Sequence, residues 1–454
     1  MFASILLMKK TFSIILYFTV KSIYGISKWC IIKTPKRQVS ISFQNAIKEN
    51  LMKTTVPAIT SPKGFRAAGI HCGLKKTDAP DLALILSDVP ARIAGVYTKN
   101  LVKGHSLQRT IALINQKDST RGILINSGNA NACVGAAGYR DAEDAAAAVA
   151  FAAGCLPDDI LTCSTGVIGQ RLNMKALLSG VPSLISSLSS SQEAGHNAMS
   201  AILTTDLVPK ESTAVIEIGG TKITMSGMAK GSGMIHPNLA TMISVITTDA
   251  LISTSLLHDL LTRAVAHTFN RVSVDGDTSV CDSLLIMANG MCGGKEIIAG
   301  TPECSLFFDA LTQICTDLSR MIARDGEGAT KLVEVEVTGA ATADDAYLVV
   351  LAVCRSPLCK TAIFGEDANW GRILTAAGYS GAAFDPDKVD IAIGDLPVCA
   401  DGMALPFDEK AAKKILRKDE INISIALHEG QYSDRMWTCD FSYDYVKING
   451  SYRS

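Results

Sequence analysis

The stretch that decides how this chain is organised is residues 229–249, AKGSGMIHPNLATMISVITTD. A glycine-rich loop containing a proline leads into an apolar, β-branched run, which predicts irregular backbone followed by a buried strand that begins at Thr241. A strand end holds a hydroxyl in place, while the loop leaves room for a substrate and for backbone donors. Thr241 is therefore a candidate nucleophile.

A threonine hydroxyl needs a base before it is a useful nucleophile. If the Ala240–Thr241 peptide bond is cut, the new α-amine of Thr241, with a reference pKa of about 8, can accept the proton from its own Oγ. Judged on local sequence alone, a threonine at a strand start is more often explained by β-propensity. The stretch thus has two interpretations, self-cleavage that creates a catalyst and an ordinary strand.

Length and composition limit the class of protein. The chain has 454 residues, 48% of them hydrophobic, and a formal net charge of −1. This length exceeds one ordinary domain, so we expect two lobes, and the near-zero charge favours a small-molecule partner over nucleic acid. The 13 cysteines form no C-x-x-C pair. We therefore expect free, mostly buried thiols in a reducing compartment and no metal site.

Residues 1–51 differ from the rest of the chain, because they are rich in lysine and nearly free of acidic residues. The apolar run at 12–20 is too short to span a bilayer. Three interpretations are open: an N-terminal extension from a mis-assigned start, an organellar transit peptide, and a secretory signal, against which the cysteine usage argues. Met52 then begins a segment with a new composition.

Hydrophobic periodicity and turn residues predict the elements that follow. In the first half we expect a hairpin-like start from 64–70 and 82–87, a buried strand at 123–125 delivering a structural turn at 126–133, and an alanine-rich helix at 141–154. A strand at 160–163, a helix at 192–203 and a hairpin over 214–225 come next. In the second half we expect helices at 256–270 and 304–322 and strands at 331–338 and 443–448.

Several blocks resemble the ornithine acetyltransferase family, also called glutamate N-acetyltransferase. The 229–249 stretch is similar to the self-cleavage motif of these enzymes, and further matches are STGVIG at 164–169, VDGDTS at 274–279 and GEDANWGR at 365–372. The resemblance covers 52–454 in the family's order. The chain departs from the family pattern at 103–106, at Ala368 in place of proline, and at Cys281 in place of asparagine.

The resemblance implies roles for particular residues of this chain. It implies cleavage between Ala240 and Thr241, with Thr241 as the nucleophile. It implies an oxyanion hole formed by Thr165 and Gly166 in the STGVIG motif. The substrate-binding residues that it implies are Thr204, Lys230, Thr241, Glu327, Asn449 and Ser454. Lys230, in the loop before Thr241, suits a carboxylate, and Glu327 suits an α-amino group.

The resemblance also implies an architecture and an activity. We expect an α/β (α+β) fold, a two-lobed sandwich of mixed sheets with helices, autoprocessed into an α chain (52–240) and a β chain (241–454) that share one active site. The implied reaction is a ping-pong transfer of acetyl from N-acetylornithine to glutamate through acetyl-Thr241, in arginine biosynthesis. No cofactor is expected, and the motifs do not distinguish members that also use acetyl-CoA as donor.

The remaining expectations concern partners, location and rivals. The family implies a heterotetramer of two α and two β chains, with no nucleic acid and no membrane, in the cytoplasm, or in an organelle if 1–51 is a transit peptide. One rival is a self-processing N-terminal-nucleophile aminopeptidase or amidase, in which water is the acceptor. Another is a protein that cleaves only to mature into a structural or binding heterodimer.

Overall fold

The computed structural model describes residues 57–237 and 242–451, together with the backbone of short strands within 6–53. The chain divides into two compact units, Met1–Lys53 and Thr54–Ser454. The described part of the first unit contains an antiparallel sheet of strand order β1-β2-β3. Its strands are β1 (Leu6–Lys10), β2 (Ser13–Val20) and β3 (Lys28–Thr34), followed by the short β4 (Met52–Lys53).

The second unit contains two mixed sheets. The strands of the larger sheet are β5 (Phe65–Ile70), β6 (Leu82–Tyr97), β7 (Ser119–Asn129), β8 (Ile160–Val167), β9 (Glu211–Ile218), β10 (Thr221–Lys230), β11 (Ile243–Thr248) and β13 (Ser283–Ala288). Those of the smaller sheet are β12 (Val272–Ser273), β14 (Leu332–Ala340), β15 (Asp390–Ile393), β16 (Leu396–Ala400), β17 (Met403–Ala404), β18 (Glu420–Ala426) and β19 (Tyr432–Cys439).

Both sheets combine parallel and antiparallel pairs. The larger has the order β9-β10-β11-β13-β6-β7-β8, with β5 paired to β6, and the smaller has the order β12-β19-β14-β18-β15-β16-β17. In the antiparallel pair β10–β11, Lys230 lies opposite Ile243, so the chain leaves and re-enters the sheet at one position. The predicted α/β (α+β) fold of mixed sheets with helices is confirmed.

Helices cover both sheets. They are α1 (His105–Ile114), α2 (Ala136–Ala153), α3 (Met174–Ser186), α4 (Gln192–Ile202), α5 (Thr254–Ala266), α6 (Pro302–Arg324), α7 (Ala343–Arg355), α8 (Pro357–Phe364), α9 (Trp370–Gly378), α10 (Glu409–Leu416) and α11 (Tyr443–Gly450). Helix α6 packs on β9 and β10 of the larger sheet and on β19 of the smaller, and so links the two. At Gly227 a Cβ would lie 2.8 Å from Ile314 Cγ2, which shows how closely α6 approaches β10.

The core follows the layers. One apolar cluster lies under the smaller sheet, where Val333, Val335 and Val337 alternate inward along β14. Two further clusters cover the faces of the larger sheet. Strand β11 is buried along its whole length, as expected for a strand with both faces covered. This burial fixes the frame from which the loop at 231–237 departs.

The predicted strand at 443–448 is wrong, because the segment forms helix α11. The Ser442 side chain accepts a hydrogen bond from the Asp444 N–H at 3.1 Å and so caps the helix, a strong local signal for a helix start. The alternation of tyrosine and valine suggested a buried strand face, yet Tyr443 is 85% exposed and Val446 is 70% exposed. The alternating pattern here has no core to face.

Other predicted bounds shift by a few residues. Strand β8 continues through Thr165 and Gly166 to Val167 instead of ending at 163, and the described part of the strand after the loop begins at Ile243. Helices α2, α5 and α6 and strand β7 contain most of their predicted ranges. The hairpin of β9 and β10 and the pairing of β5 with β6 are confirmed.

Candidate active site

A cavity of about 260 Å³ lies where the ends of several elements meet. Its lining comprises Ala130, Thr165, Gly166, Val167, Ile168, Thr204, Thr205, Lys230, Gly233, Met234, Ser279, Val280, Cys281, Glu327 and Asn449. Six residues that the sequence analysis named as site residues are among them, from β8, the segment after α4, β10, the loop after α6, and α11. Ala240, Thr241 and Ser454, also named there, lie outside the described residues.

Thr165 and Gly166 lie at the end of β8, where the backbone conformation requires glycine at 166. Gly166 has φ +134°, and a Cβ there would lie 2.3 Å from the carbonyl carbon of Gly128 on the neighbouring strand. Any side chain at this position would therefore push β8 away from β7. Both Thr165 and Gly166 line the cavity. A threonine hydroxyl and a backbone N–H that reach the same point can together stabilise an oxyanion.

Lys230 is the last residue of β10 and is only 2% exposed. The expectation that it lies in a loop is wrong, because β10 extends to the point where the loop begins. Its Nζ donates to Thr165 Oγ1 at 3.5 Å. Since the Thr165 oxygen accepts this bond, its own proton can be directed into the cavity. A buried ammonium in this position is suited to a substrate carboxylate.

If Thr165 supplies one of the two oxyanion donors that the resemblance implies, Thr165→Val removes that donor with little change in side-chain shape, and we expect kcat for acyl transfer to fall about 10²–10³-fold. The KM for the acyl donor should change far less. Steady-state kinetics on the variant measures both constants. Thr165→Ser keeps the hydroxyl and should restore most of the activity. A Thr165→Val enzyme with an unchanged kcat would contradict the assignment.

A buried ionic network, which the sequence analysis missed, supports this end of the cavity. Lys210 Nζ donates to Asp206 Oδ1 at 2.8 Å and to Asp325 Oδ2 at 2.6 Å. Asp206 also accepts the N–H of Gly231 at 2.6 Å and that of Thr204 at 3.0 Å. One carboxylate thus holds both a cavity residue and the residue after Lys230. Asp206 lies two residues after Thr204, which the sequence analysis named, and could have been noticed there. No sequence pattern singles out Lys210.

The electrostatics of Asp206 agree with this structural role. Burial by itself would raise the pKa of Asp206, but the ammonium groups of Lys230 and Lys210 outweigh burial and hold that pKa well below its usual range. The carboxylate is therefore ionised throughout the working pH range. Its negative charge also compensates the buried charge of Lys230.

Glu327 supplies a negative charge to the cavity, opposite in sign to that of Lys230, and is hydrogen-bonded to Asn449. The Asn449 Nδ2 donates to Glu327 Oε2 at 2.9 Å, which joins α11 to the loop after α6. Glu327 is 7% exposed, and a Cβ at Gly233 would lie only 2.3 Å from its carboxylate. Only glycine at 233 leaves space for this carboxylate. A carboxylate here suits a substrate ammonium group.

The loop at 231–237 is held from outside by Asp275. Its Oδ2 accepts the Met234 N–H at 2.6 Å, and its Oδ1 accepts the Ile235 N–H at 3.0 Å. Met234 has φ +60°, a left-handed conformation that costs a non-glycine residue free energy. The two hydrogen bonds to Asp275 help to stabilise it there. Burial raises the pKa of Asp275 to about 6, against the opposing effect of these backbone hydrogen bonds.

The raised pKa of Asp275 predicts a pH-dependent stability. A carboxyl whose folded pKa exceeds its unfolded value contributes stability that is complete below about pH 4 and is lost as the pH rises through about 6. Asp275→Asn has no carboxyl group to ionise, so its free energy of unfolding relative to the wild type should rise by about 1.4 kcal/mol between pH 5 and pH 8, although the amide keeps only one of the two backbone hydrogen bonds. Urea unfolding at both pH values measures the change. Asp419→Asn, at a side chain that is 89% exposed, should show no such rise, and an equal rise in both variants would contradict the prediction.

Cys281 lies in the cavity wall where the family pattern led us to expect asparagine. Its Sγ–H donates to the Ala130 carbonyl at 3.4 Å. Ala130 belongs to the 126–133 segment, which we predicted to be only a structural turn. The segment instead continues β7 to Asn129 and then contributes to the cavity, because β7 runs parallel to β8 and ends beside it.

The described residues as a whole give three further observations. No single described helix has the length and apolar composition to cross a membrane, although the bent pair Ala343–Arg355 and Pro357–Phe364 passes that test when taken together. All described cysteines are free and most are buried, as predicted. Among all residues that the structure describes, no group of three or more His, Cys, Asp or Glu side chains could hold a metal ion.

The described residues thus combine a mixed α/β fold with a small cavity that holds a buried lysine, a buried glutamate and a Thr–Gly pair, which is the kind of site expected of an enzyme. The ArgJ family profile matches residues 66–454. The chain belongs to the ArgJ family, and the relationship expected from the sequence is confirmed.

Individual relatives agree with the family match. The chain is similar to the arginine biosynthesis bifunctional protein ArgJ of Symbiobacterium thermophilum, with 47% identity over 405 residues, 89% of this chain and 100% of the relative. The chloroplastic ArgJ of Oryza sativa subsp. japonica is 44% identical over 87% of each chain. A crystal structure of ArgJ from Bacillus halodurans, 44% identical, aligns with 45% of this chain and 97% of that one at a TM-score of 0.44.

Proposed function

We propose that this chain is a self-cleaving glutamate N-acetyltransferase that moves acetyl from N-acetylornithine to glutamate in arginine biosynthesis. The observation that carries the proposal is the cavity itself. Lys230, Glu327 and the Thr165–Gly166 pair line a single site of about 260 Å³. The names of the relatives, which are bifunctional proteins of arginine biosynthesis, support the same pathway.

The lining matches the chemical groups of the proposed substrates. Glutamate and N-acetylornithine both carry a carboxylate, for which the buried Lys230 ammonium is suited. Glu327, hydrogen-bonded to Asn449, is suited to the α-amino group of an amino-acid substrate. Thr165 and Gly166 would then receive the oxygen of the acyl carbonyl. Thr204, held by Asp206 through its N–H, is proposed as a further substrate contact, and Ser454 is carried over from the family motif.

The first proposed step is self-cleavage. Thr241 Oγ attacks the Ala240 carbonyl carbon, the bond from that carbon to the Thr241 nitrogen breaks, and the nitrogen takes a proton to become a free α-amine. Water then hydrolyses the ester. The residue that follows Thr241 is held by the fold, since Met242 is buried and its carbonyl accepts the Ser283 N–H at 3.0 Å. The products are chains ending at Ala240 and beginning at Thr241.

The second proposed step is transfer by a ping-pong mechanism. The α-amine of Thr241 takes the proton of its own Oγ, which attacks the acetyl carbonyl of N-acetylornithine. The oxyanion accepts hydrogen bonds from Thr165 and Gly166, and the collapse of the tetrahedral intermediate expels ornithine as the protonated amine. The neutral amino group of glutamate then attacks the acetyl carbon of acetyl-Thr241, the ester bond to Thr241 Oγ breaks, the α-amine of Thr241 carries the proton from the attacking nitrogen to Oγ, and N-acetylglutamate leaves. No cofactor is needed, and acetyl-CoA is an alternative acetyl donor in this scheme.

The same proposal covers organisation and location. We propose that 52–240 and 241–454 are the mature α and β chains, that two copies of each assemble, and that 1–51 is an extension outside the catalytic unit. The compact unit that begins at Thr54 is compatible with this boundary. We propose the cytoplasm as the location, with an organelle as the alternative, which the chloroplastic relative in rice keeps open.

Intact-mass analysis combined with a transfer assay tests the proposal. We expect two chains that meet at the 240–241 bond, and N-acetylglutamate when the protein is given N-acetylornithine and glutamate. Release of acetate without N-acetylglutamate would favour a hydrolase of the aminopeptidase or amidase type. Cleavage without any acetyl adduct on the 241–454 chain would favour a structural or binding heterodimer.

A further inference from the structure

One side of the cavity is apolar and is separate from the residues assigned to the amino-acid part of the substrate. Ala130, Val280 and Cys281 are buried, pack into one apolar cluster and line the cavity. Ile168 packs against the same cluster and also lines the cavity. We call these four residues the apolar wall. Neither the proposed catalytic steps nor the amino-acid contacts use it.

The apolar wall adjoins the proposed oxyanion hole. The Ala130 N–H donates to the Val167 carbonyl at 3.0 Å, one residue beyond Gly166. When an acyl carbonyl oxygen is bound by Thr165 and Gly166, the carbon chain attached to that carbonyl must extend from the same point. Apolar atoms favour an apolar surface. The wall is therefore the surface available to the acyl chain.

Cys281 sets the depth of this wall because its surroundings are fixed. Gly104 and Ala130 both lie close to the thiol: a Cβ at Gly104 would lie 3.1 Å from Cys281 Sγ, and the Ala130 carbonyl oxygen lies 3.4 Å from it, so we expect a larger side chain at 281 to extend into the cavity. The backbone on either side is anchored, since the Gly104 N–H donates to the Val280 carbonyl at 2.8 Å and the Cys281 N–H donates to Ser279 Oγ at 3.2 Å. Side-chain volume at 281 thus translates into cavity volume.

We propose that the apolar wall is the acyl-chain subsite and that Cys281 determines which acyl groups this enzyme transfers. The inference rests on the proposed acyltransferase function and deepens it. A single thiol leaves more room than a branched side chain, so the substrate class includes N-acyl amino acids with a short apolar chain, acetyl and propionyl. The thiol acts by its size and apolar character and takes no part in bond making, in keeping with the raised pKa that burial gives it.

The test compares kcat/KM for N-propionylornithine with kcat/KM for N-acetylornithine, using glutamate as acceptor. Adding or removing room for one methylene changes discrimination about 10–200-fold. We expect Cys281→Ala to raise the propionyl-to-acetyl ratio at least about 10-fold and Cys281→Leu to lower it by a similar factor. Self-cleavage and thermal unfolding show whether each variant folds, and Cys281→Ala alone decides the test if the leucine does not fit.

Cys292→Ala is the matched control, since Cys292 is as buried as Cys281 but lies outside the cavity lining. Its ratio should equal that of the wild type. A ratio that Cys281→Ala leaves unchanged while the wild type makes N-acetylglutamate overturns the subsite and spares the proposed function. A wild type that makes no N-acetylglutamate from N-acetylornithine overturns the proposed function itself.

Discussion

Thr241→Ala is expected to leave the protein as one unbroken chain on a denaturing gel and to reduce acetyl transfer to background. Alanine has no oxygen to attack the Ala240 carbonyl, so the ester that precedes cleavage cannot form. Without cleavage there is no free α-amine, and without the hydroxyl there is no acceptor for acetyl. One substitution therefore removes both the maturation and the covalent step.

Two further variants sharpen this test. Thr241→Ser keeps a hydroxyl and should still cleave and transfer, with lower rates because serine is less restricted about χ1 than threonine. Thr221→Ala, at the far end of β10 from the cavity, is the matched control and should behave like the wild type. An uncut wild-type chain that turns over N-acetylornithine, or a Thr241→Ala variant with normal turnover, would contradict the mechanism.

Lys210→Met is expected to cost about 3–5 kcal/mol of folding stability, because it removes one partner from a buried ionic group. The side chains of Lys210 and Asp206 are 0% exposed and that of Asp325 is 5% exposed. Methionine fills similar space but removes the one ammonium group that contacts both carboxylates, so that only Lys230 still acts on Asp206. Urea unfolding at neutral pH measures the loss.

The pH dependence of that loss separates the ionic explanation from a packing defect. Two carboxylates without Lys210 repel each other, which raises the pKa of at least one of them. A raised carboxyl pKa contributes stability below the unfolded value and loses it as the pH rises through the folded value. The deficit of Lys210→Met should therefore be larger at pH 8 than at pH 5. Lys222→Met, at an exposed position on the same sheet, is the control, and a deficit that does not vary with pH would point to packing.

The same network has a consequence for the processed protein. Asp206 and Lys210 precede the 240–241 bond in the chain, and Asp325 follows it. A further hydrogen bond accompanies the ion pair, since Ser232 Oγ donates to the Asp325 carbonyl at 2.7 Å. After the proposed cleavage, this buried cluster holds the two chains together beside the cavity.

Local sequence predicted the secondary structure correctly where the hydrophobic pattern of a segment agreed with its burial in the fold. The hairpin turn at Gly219–Gly220 and the buried strand β11 follow from turn chemistry and β-branched residues. It was insufficient at α11, where alternating tyrosine and valine suggested a strand. There the Ser442 cap and the absence of a covering layer decided the outcome.

The candidate site was likewise predicted only in part from the sequence. The resemblance of short motifs is enough to single out Thr165, Gly166 and Lys230. It does not indicate that Lys230 is a buried strand residue, nor that Lys210 balances Asp206 against Asp325. Charge pairs of this kind join residues 115 positions apart, and a linear pattern carries no signal for them.

By itself, the sequence determined the family, the order of most strands and helices, and six of the residues that line the cavity, because these depend on local periodicity and on short motifs. Only the tertiary structure decided that those six residues share one small cavity, that the apolar wall lies beside Thr165 and Gly166, and that a buried lysine joins residues on either side of the proposed cleavage site. These features depend on distances between segments far apart in the chain, and only packing sets those distances.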